Sequence, residues 1–219
     1  MIHKILLFAV SLIITTTSFG QEITVEKIWK NYEFFGASIN GFRSMEDGNY
    51  FSKITQTENG PSVTKHKFSS YEGKGEVLIA SSAIKDVKMQ DYSFNLDESK
   101  ALIETETKSI YRRSYTAVYY LLDLATNKLQ ELDAERKPQT LAQYSPDGKM
   151  VSYIYQNNLY IKDIRSGEVT EVTTDGKTNE IINGTTDWVY EEEFALTKAY
   201  GWSPDSKNIA YLKFNEKEV

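Results

Sequence analysis

The sequence predicts an all-β chain, a partial β-propeller of about three and a half four-stranded blades with a short N-terminal helix. Three observations carry that reading. A turn built on aspartate recurs at Glu46-Asp47-Gly48, Leu96-Asp97-Glu98, Pro146-Asp147-Gly148 and Pro204-Asp205-Ser206, with the aspartates 50, 50 and 58 residues apart. An alternating apolar segment follows each turn: Tyr50 to Ile54, Ala101 to Thr105, Met150 to Tyr155 and Asn208 to Phe214. The composition suits strands, with 15 Tyr and 10 Phe in 219 residues. A period of about 50 residues made of short strands marks a propeller blade, and a blade that cannot bury both faces alone must stack on its neighbours.

In chain order, residues 1–20 read as a signal peptide. Lys4 supplies the positive start, Ile5 to Ile14 the apolar run, and Ser18-Phe19-Gly20 the small residues before a cut at Gln21. The run falls short of the ~20 apolar residues that span a bilayer; an uncleaved signal anchor is the alternative. The expected location is therefore exported, periplasmic or secreted, with membrane association if the signal is retained. The chain has no cysteine, so neither disulfides, a lipidated cysteine nor a thiolate site can arise in it. Residues 21–36 form a helical lead-in, in which Thr24 caps an amphipathic turn at Val25-Glu26-Lys27-Ile28-Trp29 and Glu26 lies in the first turn.

Residues 37–219 carry the blades. In the second unit Tyr115 to Leu121 leads through Asp123-Leu124 and the turn Ala125-Thr126-Asn127 to Lys128 to Leu132. The third repeats the order with Asn158 to Ile161, Asp163-Ile164, Arg165-Ser166-Gly167 and Glu168 to Val172. The first is looser, with Ser62 to Phe68 and Glu76 to Ala80 as strands. Three blades and half of a fourth do not close a ring, so the expectation is an incomplete piece of a longer protein, with an open solenoid-like stack as the alternative. Asn183-Gly184-Thr185 matches a glycosylation acceptor.

The third interval exceeds the others by eight residues, and Asp187-Trp188-Val189-Tyr190-Glu191-Glu192-Glu193-Phe194 lies inside it. This is an insertion in a repeat, a place where a rigid scaffold carries binding groups. The expected form is a short helical turn, because successive side chains diverge by ~100° on a helix against ~180° on a strand, and only the helix lets two glutamates converge on one cation. A solvated acidic turn is the competing reading. The net charge of −6 argues against nucleic acid and anionic membranes as partners. No cofactor is implied, and no Asp/Glu/His spacing suggests a metal site. No G-x-S-x-G occurs: Gly36-Ala37-Ser38-Ile39-Asn40 fails at its last position. Beyond the leader His66 is the one histidine, and it reads as an exposed strand residue rather than a catalytic base.

The acidic run Asp187 to Glu193, followed by Trp202-Ser203-Pro204-Asp205 and Phe214-Asn215, resembles the N-terminal propeller of the dipeptidyl peptidase IV family. Arg112-Arg113-Ser114-Tyr115-Thr116-Ala117 resembles that family's Arg-x-Ser-Tyr-Thr-Ala segment, and Gly176-Lys177 to Asn183-Gly184 resembles the approach to its acidic motif. The resemblance implies a serine exopeptidase in which a propeller caps an α/β-hydrolase domain, here absent, and X-Pro or X-Ala dipeptides leave the substrate N-terminus. By motif position Glu192 and Glu193 would grip the substrate's α-ammonium and Arg112 would contact its carbonyl oxygen. Glu191, Trp188 and Tyr190 would support them. The implied partners are peptides with a free N-terminus, the downstream hydrolase domain and a second copy in a homodimer. A non-catalytic periplasmic propeller acting as a binding module is the rival reading, and an inactive homologue a third.

Overall fold

The computed structural model describes residues 22–36, 41–70 and 73–218. The signal segment 1–20 and residues 37–40 lie outside the described residues. Two units separate, Met1–Asn40 and Gly41–Val219. In the first, helix α1 (Val25–Trp29) begins at Thr24, whose hydroxyl accepts the Lys27 N–H at 3.1 Å. No residue of this helix is buried, so its apolar side chains do not form the covered face that an amphipathic pattern implies.

The second unit contains three four-stranded antiparallel sheets in simple meander order. The first is β1 (Arg43–Ser44), β2 (Tyr50–Thr57), β3 (Gly60–Lys67) and β4 (Glu76–Ile79). The second is β5 (Met89–Phe94), β6 (Lys100–Ser109), β7 (Tyr115–Asp123) and β8 (Lys128–Glu131). The third is β9 (Thr140–Tyr144), β10 (Met150–Tyr155), β11 (Asn158–Asp163) and β12 (Val169–Glu171). The remaining strands are β13 (Ile181–Asn183), β14 (Tyr200–Trp202), β15 (Ile209–Tyr211) and β16 (Lys213–Asn215), with helix α2 (Trp188–Phe194) between β13 and β14. β13 pairs with β16, and β14 with β15.

The second and third sheets carry buried apolar side chains on both faces. Ala101 and Ile103 of β6 join Val63 and Ile79 of the first sheet in one cluster, whereas Leu102 between them packs with Val151 and Tyr153 of the third. On β7 Leu122 and Leu121 divide in the same way. On β10, Val151 and Tyr153 face the second sheet while Ile154 joins Tyr200 in a third cluster. The alternation of a strand thus serves two interfaces, each face packing against a different neighbour.

The four aspartate turns share one geometry. Asp47, Asp97, Asp147 and Asp205 each accept the N–H two residues on, at 2.8, 3.0, 3.2 and 3.1 Å. The residue between is left-handed in all four, with φ of 66° at Gly48, 54° at Glu98, 70° at Gly148 and 60° at Ser206. The two that are not glycine reach the turn of the preceding repeat. Glu98 accepts the Glu46 N–H at 2.8 Å, and Ser206 Oγ accepts the Asp147 N–H at 2.9 Å.

One sequence expectation is corrected here. His66 is buried, not exposed: it stacks on Phe51 at 5.2 Å between ring centroids, and its Nε2 lies 2.9 Å from Thr64 Oγ1. Ser62, Thr64 and His66 alternate along one face of β3 and are buried, as is Val63 on the other, so a polar pattern occupies a covered face. Asn183 of the acceptor match is 0% exposed, with its Nδ2 donating to Asp175 Oδ1 at 3.1 Å.

Candidate functional site

The acidic run forms helix α2 because its ends are specified. Asp187 is the N-cap, its carboxylate accepting the Tyr190 N–H at 2.8 Å, and Ala195 closes the helix in a left-handed conformation at φ 54°. The base of the excursion is pinned on both legs. Thr186 Oγ1 donates to Leu196 O at 2.6 Å, Thr185 Oγ1 to Thr197 O at 3.1 Å, and Ala199 N to Gly184 O at 3.0 Å. Tyr190 anchors the helix sideways, its ring 4.8 Å from Phe214 of β16 and 5.5 Å from Phe194. Trp188 stays exposed.

The three glutamates then point in different directions. Glu191 turns inward and is 1% exposed. Its Oε1 accepts the backbone N–H groups of Arg113 at 2.6 Å and Ser114 at 3.0 Å. Those residues belong to the tip of the β6–β7 hairpin, which extends past the expected Ala101–Thr105 through a bulge between Thr105 and Lys108. Burial pushes the Glu191 carboxyl up, but the donors of Ser114 and Arg113 and the Arg113 charge outweigh it, holding the group below the usual glutamate range. Glu192 is next, 16% exposed at its side chain, with Oε2 3.2 Å from Arg112 Nε. Arg112 itself is 72% exposed. Glu193 is exposed and makes no ion pair among the described residues.

The structure therefore brings Arg112, Glu191 and Glu192 together across nearly 80 residues of sequence and leaves Glu193 facing solvent beside them. A cavity of about 300 Å³ opens alongside, lined by Ser114, Asn157, Thr186, Asp187 and Glu216 among others. Burial pushes the Glu216 carboxyl up, and the neighbouring Asp187 adds to the effect. Neither the cavity nor Glu216 was legible in the sequence, since Glu216 lies in no recognisable motif. The arrangement offers carboxylate oxygens to a cation and an arginine fork to an oxygen acceptor a short step away.

Fold and site place the chain among all-β repeat proteins that carry an acidic helical insertion in an interrupted strand. More particularly, residues 95–219, over half the chain, match the family described as dipeptidyl peptidase IV (DPP IV) N-terminal region, and the chain belongs to that family. It is 35% identical to the prolyl endopeptidase FAP of Bos taurus over 148 residues, which is 67% of this chain and 20% of that protein. It is 36% identical to the dipeptidyl peptidase 4 of Sus scrofa over 157 residues, 69% of this chain and 20% of that protein. The solved dipeptidyl peptidase 4 of Porphyromonas gingivalis superposes with a TM-score of 0.78 at 29% identity, over 91% of this chain and 28% of the other. The chain spans about a fifth of the length of these curated relatives.

Proposed function

We propose that this chain is the N-terminal β-propeller part of an exported serine exopeptidase that releases X-Pro or X-Ala dipeptides, with residues 1–20 as its signal, 21–36 as its lead-in and 37–219 as incomplete propeller. Ring closure and the nucleophile then belong to downstream sequence. Glu192 and Glu193 hold the substrate's α-ammonium, and Arg112 holds a carbonyl oxygen of its first residues. The observation that carries this reading is the approach of Glu192 to Arg112 beside the exposed Glu193.

The charges suit the ligand. Arg112 with Glu192 and Glu193 leaves the trio one negative charge, which one ammonium cancels while its three N–H groups find carboxylate acceptors. Arg112 also relieves the repulsion between the glutamates before substrate arrives. Holding the terminus at a fixed place sets which peptide bond meets the nucleophile, so remote binding energy becomes positioning.

The test is Glu192→Gln and Glu193→Gln in the full-length protein, assayed on a Gly-Pro substrate. Each is expected to lower kcat/KM about a hundredfold, the scale of losing one charge-assisted contact to a desolvated ammonium. Unchanged kcat/KM in both variants would refute the assignment.

A further inference from the structure

We infer that Glu191 is a positioning residue that sets the distance between the ammonium grip and the carbonyl grip, and so selects α-amino termini over longer ones. The inference rests on the proposed function and deepens it.

Glu191 and Glu192 are consecutive on α2, and they hold consecutive parts of one hairpin tip. Glu192 meets the Arg112 side chain, while Glu191 takes the backbone of Arg113 and Ser114. These contacts differ in strength. The Arg112–Glu192 pair has a largely exposed partner, and exposed ion pairs fix geometry poorly. The Glu191 contact is buried, charge-assisted and made to two backbone donors that a flexible side chain cannot move. The position of the Arg112 Cα relative to α2 is therefore set by Glu191. The pinned legs of the excursion prevent α2 from following the hairpin if the clamp is cut.

A peptide terminus fits two grips only if its ammonium and first carbonyl are the right distance apart. In an α-amino acid one carbon separates the nitrogen from the carbonyl carbon; a β-amino terminus inserts one more methylene. With the hairpin clamped, that extra carbon displaces one group from its partner. With the clamp removed, the hairpin tip gains freedom to follow the longer ligand, and discrimination falls even where folding is intact.

The experiment compares kcat/KM for Gly-Pro and β-Ala-Pro p-nitroanilides in the full-length wild type, Glu191→Gln and Glu191→Ala. Alanine removes both acceptor bonds, and the ratio of the two substrates is expected to fall about tenfold, the lower end of what one methylene discriminates. Glutamine retains a carbonyl oxygen for the same N–H groups and is expected to lie between alanine and wild type. A purely structural defect lowers both substrates alike and leaves the ratio untouched. If folded Glu191→Ala keeps the wild-type ratio, the inference is overturned; if that variant does not fold, an unchanged ratio in Glu191→Gln overturns it. A wild type inactive on Gly-Pro would instead sink the proposed function.

Discussion

Asp133 shows how one buried carboxylate ties neighbouring repeats together, and the cost of removing it can be worked from its contacts. It follows β8 of the second sheet, and its side chain is 6% exposed. Four donors converge on it. The Tyr153 hydroxyl comes from β10 of the third sheet, the N–H groups of Glu135 and Arg136 reach it at 3.0 and 3.3 Å, and Arg136 Nη1 lies 3.1 Å away. Burial pushes the Asp133 carboxyl up, but the hydrogen bonds from Tyr153, those N–H groups and the Arg136 side chain overcome it and hold the group below the usual aspartate range. Asp133→Ala leaves a buried phenol, two N–H groups and a half-covered guanidinium without their acceptor, a loss of about 3–5 kcal/mol. Tyr153→Phe removes one donor of four from a carboxylate that keeps the rest, about 1.5 kcal/mol. At ~2–4 °C per kcal/mol for a domain of this size, the melting temperature should fall by about 10 °C in the first variant and about 4 °C in the second. Because the folded-state pKa is depressed, this stabilisation is present above the unfolded aspartate value and is lost as pH falls through the lower folded value. Differential scanning fluorimetry at neutral pH checks the order. A Tyr153→Phe loss equal to or larger than that of Asp133→Ala would refute the four-donor account.

Two smaller predictions concern the aspartate turns and the hairpin clamp. At Glu98 the left-handed backbone favours glycine by about 1 kcal/mol, while the side chain stabilises by accepting the Glu46 N–H. Glu98→Gly should therefore melt close to wild type and Glu98→Ala, which keeps the strain and loses the bond, several degrees lower; equal melting of the two variants would count against the strain argument. The Glu191 carboxyl titrates below the usual glutamate range, so its clamp holds above that range and opens as pH falls through the lowered value. Amide exchange at Arg113 and Ser114, followed as pH is lowered, should lose protection at that point in wild type and show no such step in Glu191→Gln.

Local chemistry was legible in the sequence, and long-range pairing was not. The aspartate turn is contained in four residues, because the side chain bonds an N–H only two positions away, so its repetition could be counted directly. Helix α2 was equally local: Asp187 supplies the cap, and a break in strand alternation marks where it lies. The strand His66 was misjudged because inward-facing polar residues alternate with outward ones just as exposed residues do. On β3 Ser62, Thr64 and His66 share one face while Val63, 0% exposed, lies on the other, so both faces are covered, and His66 stacks on Phe51, its partner on β2. Arg112 was found through its neighbours in the chain, but nothing in those neighbours says that Glu192, 80 residues later, pairs with it while Glu191 takes the backbone of Arg113 and Ser114.

The eight-residue excess also understates what was added, and the reason explains why the site is rigid. β13 and β14 bond to one passing chain, Ile209 to Asn215, on either side of Leu212. At the break, Gly184 N donates to Leu212 O at 3.0 Å, Leu212 N to Ala199 O at 2.8 Å, and Ala199 N to Gly184 O at 3.0 Å. The excursion from Thr185 to Lys198 thus leaves a ladder whose backbone groups at the break are satisfied. A strand interrupted in this way loses little pairing, yet it lifts a capped helix out of the sheet with both legs tied. Glutamates on a free loop would separate under their own repulsion; on this helix they stay a fixed angle apart, and the hairpin tip supplies the opposing charge from the second sheet. The scaffold's regularity is what makes that possible, because the partner residues meet only if successive sheets keep their spacing. Changes such as Asp133→Ala, at the contact between the second and third sheets, should for that reason weaken the Arg112–Glu192 pairing even though they touch neither residue.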